Sequence, residues 1–327
     1  MSSASNTTVM TTVVDYLVPL QNQISQYMLT AIFILGNFSN IANILVFLQK
    51  NLRTNACSWY FITVSVGHLI FLYFGCLTRV ITSWSGFDLT RSSIYFCKIR
   101  SYFLACGLLI SRHFLCMICI DRWMVTSSHT WIRRQSSVKS ARWMIIGGAG
   151  LWFTFSICML VWYRIEGSRG CVGASDTAFP TFYAIYNLVT ILGPLFIMIL
   201  FSLLVLINVR QVQQRRVATV TETTVITKKG LHYQRKDIQL IKLSLIQGIV
   251  YVLFTSIYAY SGTYSFFSQT MIKTRERTII DGFISTIGVN ISYLYMAATF
   301  FLYTLVSQTF RRETLSACQH VYRRYRC

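Results

Sequence analysis

The chain has 327 residues, is 54% hydrophobic and 12% charged, and carries a formal net charge of +20. A soluble domain normally holds about 25% charged residues, so this composition and a mean hydropathy of +0.50 exclude the two soluble domains that the length alone would allow. Only three prolines occur, which excludes a Pro-rich linker protein.

Apolar residues are gathered into blocks, and charge sits in the gaps. A membrane-spanning helix needs ~20 predominantly apolar residues, because the hydrocarbon core is ~30 Å thick and each residue rises ~1.5 Å. Seven blocks meet that length: 27–49, 57–81, 97–121, 142–163, 181–209, 238–262 and 281–306. The expected fold is all-α, a seven-transmembrane helix bundle with a short amphipathic eighth helix. Its parts are an extracellular segment over 1–26, the bundle over 27–306, and a cytoplasmic eighth helix and tail over 307–327.

Residues 1–26 contain no Lys or Arg and carry the glycosylation sequon Asn6-Thr7-Thr8. No positive patch precedes an apolar core there, so no cleavable signal peptide is expected and the first span acts as the targeting signal. The gap after the first span holds Lys50 and Arg53. The second span carries His68 and Arg79, and the third carries Ser111, Arg112 and His113. Polar groups at membrane depth are costly and face a bundle interior or a cavity. The gap after the third span holds Arg133, Arg134, Lys139 and Arg142. The gap after the fifth is rich in Arg and Lys from Arg210 to Lys236, and the tail adds Arg311 and Arg312. Cytoplasmic loops are enriched in Lys and Arg, so the N-terminus is expected outside and the C-terminus inside. The positive charge is split among membrane-flanking loops, which fits anionic lipid headgroups and not a nucleic-acid partner. Cys97 opens the third span and Cys171 lies in the gap after the fourth, both on the outside, where a disulfide can form and persist. It would roof the bundle by tying the longest outside loop to the third span. Near the C-terminus, Cys318 follows the amphipathic stretch as a palmitoylation candidate.

Ile120-Asp121-Arg122-Trp123 ends the third span, and Cys97 stands 25 residues before Arg122. Asn40, Leu52-Arg53-Thr54, Trp152, Pro194, Leu302-Tyr303 and the run Ser307–Glu313 complete a pattern along the chain. With these landmarks the sequence resembles the rhodopsin-like G protein-coupled receptors over roughly 27–320, with Trp123 in place of the family's Tyr. A divergent invertebrate peptide-receptor branch, similar to FMRFamide-type receptors, is the nearest comparison. Several positions depart from it. The family's helix-two Asp is His68, the helix-seven Asn-Pro is Thr299-Phe300, the helix-six Trp and Pro are Thr255 and Ile257, and a helix-five Tyr is Ser202. The resemblance therefore implies the fold more securely than the family's usual switch.

It implies a receptor at the plasma membrane, without catalysis or a cofactor. An outside ligand and an inside heterotrimeric G protein would favour the same state of the bundle. Arg122 would be the inner switch residue, paired with Asp121 and, across the bundle, with Asp237, which otherwise caps the sixth helix. Trp123 and Tyr303 would complete that end. Leu104 stands where amine receptors carry Asp, and Tyr293 where opsins carry Lys, so neither a cationic amine nor retinal is expected. Arg79, Arg100, Trp162 and Tyr258 are expected around the same pocket, and a peptide is the expected ligand. Arg79 suits a carboxylate or a carbonyl, or else snorkels to the interface. His68 is expected to be a neutral hydrogen-bonding group, with Ser111 as its candidate partner. The main alternative is a transporter or channel, for which neither duplicated halves nor paired Gly/Pro breaks are visible. A membrane-embedded protease would need His-Glu-x-x-His or a Ser-His pair in a Gly-rich setting, and neither motif is present.

Overall fold

The computed structural model describes residues 2–167, 170–174, 176–219, 228–268, 271 and 273–325. Side chains at 1–15, 18, 212–237, 265–266, 318 and 320–325 lie outside that description, and with them those of Asn6, Asp237 and Cys318. Seven helical stretches are long and apolar enough to cross a membrane: Pro19–Phe47, Ala56–Ser85, Ile94–Thr126, Val138–Trp162, Phe179–Gln211, Ile238–Tyr264 and Arg275–Val306. The protein is a multi-pass, all-α helix bundle.

The elements in chain order are α1 (Ser2–Phe47), α2 (Ala56–Phe71), a π-helical turn (Leu72–Leu77), α3 (Thr78–Ser85), α4 (Leu89–Ser92) and α5 (Ile94–Thr126). Next come α6 (Thr130–Gln135), α7 (Val138–Phe155), α8 (Ile157–Trp162), β1 (Tyr163–Glu166), β2 (Gly170–Gly173), α9 (Phe179–Thr219), α10 (Lys228–Phe267), α11 (Arg275–Val306) and α12 (Gln308–Tyr325). The helices exceed the apolar blocks because hydropathy marks only the part that can lie in hydrocarbon. Residues 2–26, expected as a segment before the bundle, are a helical continuation of the first span.

Local chemistry sets several boundaries. Ser93 accepts from the Phe96 amide to start α5, Ser137 accepts from Ser140 to start α7, and Thr274 accepts from Arg277 to start α11. Each satisfies an amide that the first turn leaves without a helical partner. Gly86 ends α3 with a φ of 67°, a left-handed conformation that an L side chain resists.

The third span is the central strut: 72% of its apolar window is buried, against 11% and 17% for the fourth and fifth. Large side chains such as Phe196, Leu203 and Leu305 face outward, as a lipid-bathed surface requires. The second and third spans approach almost backbone to backbone. A Cβ added to Gly107 would meet the Gly67 carbonyl at 2.8 Å, so only small residues allow this spacing. At the end of the bundle carrying Arg122, Phe47 stacks on Phe61 at 4.8 Å, and Tyr303 and Phe310 pack against the pair. The buried Phe310 ring anchors α12 beneath the bundle.

At the opposite end β1 and β2 form an antiparallel hairpin, with Ile165 opposite Cys171. The loop after the fourth span is thus a small folded element, with all other regular structure among the described residues helical. Gly167 and Gly170 flank its turn at positive φ, the geometry for which glycine is suited. Arg164 donates to Glu166 and also pairs with Asp176, and these carboxylates raise the pKa of its guanidinium.

Candidate functional site

Cys97 and Cys171 are disulfide-bonded, with Cα atoms 5.6 Å apart. The bond holds the hairpin against the start of the third span. Beneath it lies a cavity of about 280 Å³ reaching from Tyr163 and Cys171 down to His68, Arg112 and Tyr295. Of the residues expected there, Arg79, Arg100, Leu104, Tyr258 and Tyr293 all line it. Trp162 instead stacks on Phe179 at 5.5 Å, in an aromatic cluster beside the cavity.

The third span supplies a stripe at helical spacing, Arg100, Leu104, Leu108, Ser111, Arg112 and Leu115, as one face of a 3.6-residue helix must. The π-helical turn inserts an extra residue before Arg79, which rotates the rest of the span by about 100°. Gly75 in that turn passes close to Tyr293 and Leu104, for a Cβ there would overlap the Tyr293 hydroxyl. Arg100 donates through Nε to Thr78 Oγ1 at 2.9 Å.

Sequence reading did not place Arg112 or the tyrosines 183, 186, 251 and 295 at the cavity. Arg112 is only 4% exposed and donates through Nη1 to the Thr190 carbonyl at 3.0 Å. Inserting an Arg at the centre of a membrane helix costs about 2.5–3.5 kcal/mol, so its position demands a reason.

A polar seam continues below the cavity. His68 Nδ1 lies 3.2 Å from Asn40 Oδ1, so its partner is Asn40 and not Ser111, which donates to its own helix at Leu108. The ring lies on the face of α2 toward the first span, which is why the expected pair does not form. Asn40 donates to the Gly36 and Met296 carbonyls, and Asn43 to Thr299. Gln247 donates to Tyr295 at 3.2 Å and accepts from the Tyr303 hydroxyl. These side chains join the first, second, sixth and seventh spans through the interior.

At the far end Asp121 and Arg122 are each 1% exposed. Arg122 donates to Asp121 Oδ2 through Nε at 3.1 Å and through Nη2. Ser136, beyond α6, donates to Asp121 Oδ1 at 2.5 Å. Trp123 packs edge-on against Phe201 of the fifth span. The Gln239 carbonyl oxygen accepts from Ser307 Oγ and the Thr309 amide, tying the sixth span to the start of α12. The expected partner Asp237 lies outside the described side chains.

No protein-family model matches this chain, and no curated protein does so.

Proposed function

We propose that this chain is a plasma-membrane receptor that takes an extracellular ligand, with a peptide as the favoured class, and activates a heterotrimeric G protein. The observation that carries the reading is the placing of two sites at opposite ends of one bundle. A cavity roofed by the Cys97–Cys171 hairpin opens at one end, and the buried Asp121–Arg122 pair closes the other. The polar seam lies between them, on helices that a two-state bundle must move. In the closed state Asp121 holds the Arg122 guanidinium, Gln247 holds the sixth span to the seventh, and Gln239 holds it to the start of α12. A ligand that favours separation of those spans would free Arg122 for a G protein. Since both partners select the same state, each tightens the other, typically by about 1–3 kcal/mol.

The test is agonist-stimulated G protein activation in cells expressing the chain, screened with a peptide library. We expect Arg122→Ala to abolish the response per receptor at the cell surface, with the signal normalised to surface expression because the change leaves the buried Asp121 carboxylate without its counter-charge. A mutant that signals normally overturns the role given to Arg122.

A further inference from the structure

We infer that the cavity binds an organic carboxylate, gripped at its floor by Arg112, with Arg79 and Arg100 as the attracting charges nearer the hairpin. The inference deepens the receptor reading and rests on it for the ligand's entry from outside. Three guanidinium groups line the cavity, and no Asp or Glu is among the described residues lining it. Among the described residues, none of the three arginines has a carboxylate within ion-pair distance. Asp88 lies in an adjoining cleft that shares Arg79 and Arg100. It is already engaged, accepting from the Thr90 amide and hydroxyl and pairing with Arg91 at 3.5 Å.

Arg112 is the decisive group. It lies twelve residues beyond Arg100, or about 18 Å along the helix, where water cannot easily solvate a charge. Thr190 occupies one nitrogen, through its carbonyl and, at 3.4 Å, its hydroxyl. Nε is buried with no hydrogen-bond partner. The groups near it from the fifth and sixth spans are neutral phenols, those of Tyr183, Tyr186, Tyr251 and Tyr258. On the floor His68 is held by Asn40. A buried cation with an unpartnered N–H and no counter-charge is expensive alone and strongly stabilised by an anion. The planar edge of a guanidinium matches a carboxylate through two parallel N–H bonds. The aromatic walls suit an apolar body attached to that carboxylate. Its source is either the free C-terminus of a peptide or a small organic acid.

Binding to the purified full chain in lipid nanodiscs, followed by melting temperature against probe concentration, tests this without any G protein. The probes are N-acetyl tetrapeptides ending in Phe as free acids or as carboxamides, and 4-phenylbutyrate with 4-phenylbutyramide. Wild type is expected to bind an acid at least tenfold more tightly than its amide, and Arg112→Gln to erase the difference. A preference confined to the peptides assigns a peptide C-terminus, and one shown by phenylbutyrate assigns a small acid. If Arg112→Gln does not fold, Arg112→Lys decides: charge without the planar edge should weaken acid binding several-fold. Amides bound as well as acids, no binding by any acid, or an acid preference that Arg112 substitution leaves intact would overturn the inference. Carboxylate binding through Arg112 without G protein activation would leave it standing and remove the receptor reading. Signalling driven by amidated ligands alone would do the reverse.

Discussion

Single buried polar groups decide what this bundle can do, because each lacks water and depends on one or two partners. Gln247 is 2% exposed and serves two tyrosines, donating to Tyr295 and accepting from Tyr303. Replacing it with Leu strands the Tyr303 proton in an apolar interior, where an unsatisfied group costs about 1–3 kcal/mol. The loss is asymmetric, since removing both partners costs less than removing one. We therefore expect Gln247→Leu to lower the melting temperature of the purified protein. Adding Tyr303→Phe in the same chain should recover part of that loss. A double variant less stable than Gln247→Leu would show that the Tyr303 hydroxyl has another anchor. Arg122 and Tyr303 were legible as single residues from their places in a spaced pattern. Arg112 was visible as a charge in a span, but one dimension does not say which wall of the bundle it faces. The His68–Asn40 contact was equally hidden, for it links residues 28 apart on two helices.

The spans were legible because hydrocarbon thickness imposes one length on every helix that crosses it. The hairpin was not, since strands of four residues are too short for alternation to stand out. Nor was the π-helical turn in Leu72–Leu77, whose residues read as ordinary helix. The close pairing of the second and third spans depends on Gly67 and Gly107 facing each other, and it sets where Arg100 and Arg112 sit relative to Arg79. Gly107→Val puts a β-branched side chain against the Gly67 carbonyl and the Phe71 amide, both 2.8 Å from its Cβ. Backbone cannot yield as a side-chain tip can, so the helices must separate. Overpacking of this kind costs about 1–3 kcal/mol. The expected result is a lower melting temperature and weaker probe binding, whereas Gly150→Val, where a Cβ meets nothing within 4 Å, should change neither. Equal behaviour of the two variants would refute the close-packing argument.

For the whole molecule, the two sites have meaning only if they face opposite compartments. The Arg122 end carries Lys50, Arg53, Arg133, Arg134, Lys139, Arg142, Arg311 and Arg312, while residues 2–26 carry no Lys or Arg. The loops at the hairpin end are mixed, with Arg164, Arg169, Lys273, Arg275 and Arg277 beside Glu166, Asp176 and Glu276. Basic residues are retained on the cytoplasmic side during insertion. The hairpin end also holds the Cys97–Cys171 disulfide, which persists in an oxidising compartment. Charge and redox chemistry both support the sidedness proposed for the receptor. An epitope placed at residue 2 should bind antibody on intact cells, and one placed after Cys327 should bind only after permeabilisation. The opposite labelling would put Arg122 outside, where no G protein can reach it, and the cavity would open to the cytoplasm. The receptor reading would then fail, but the carboxylate site would remain, since Arg112 is buried among the same helices whichever way the bundle is inserted.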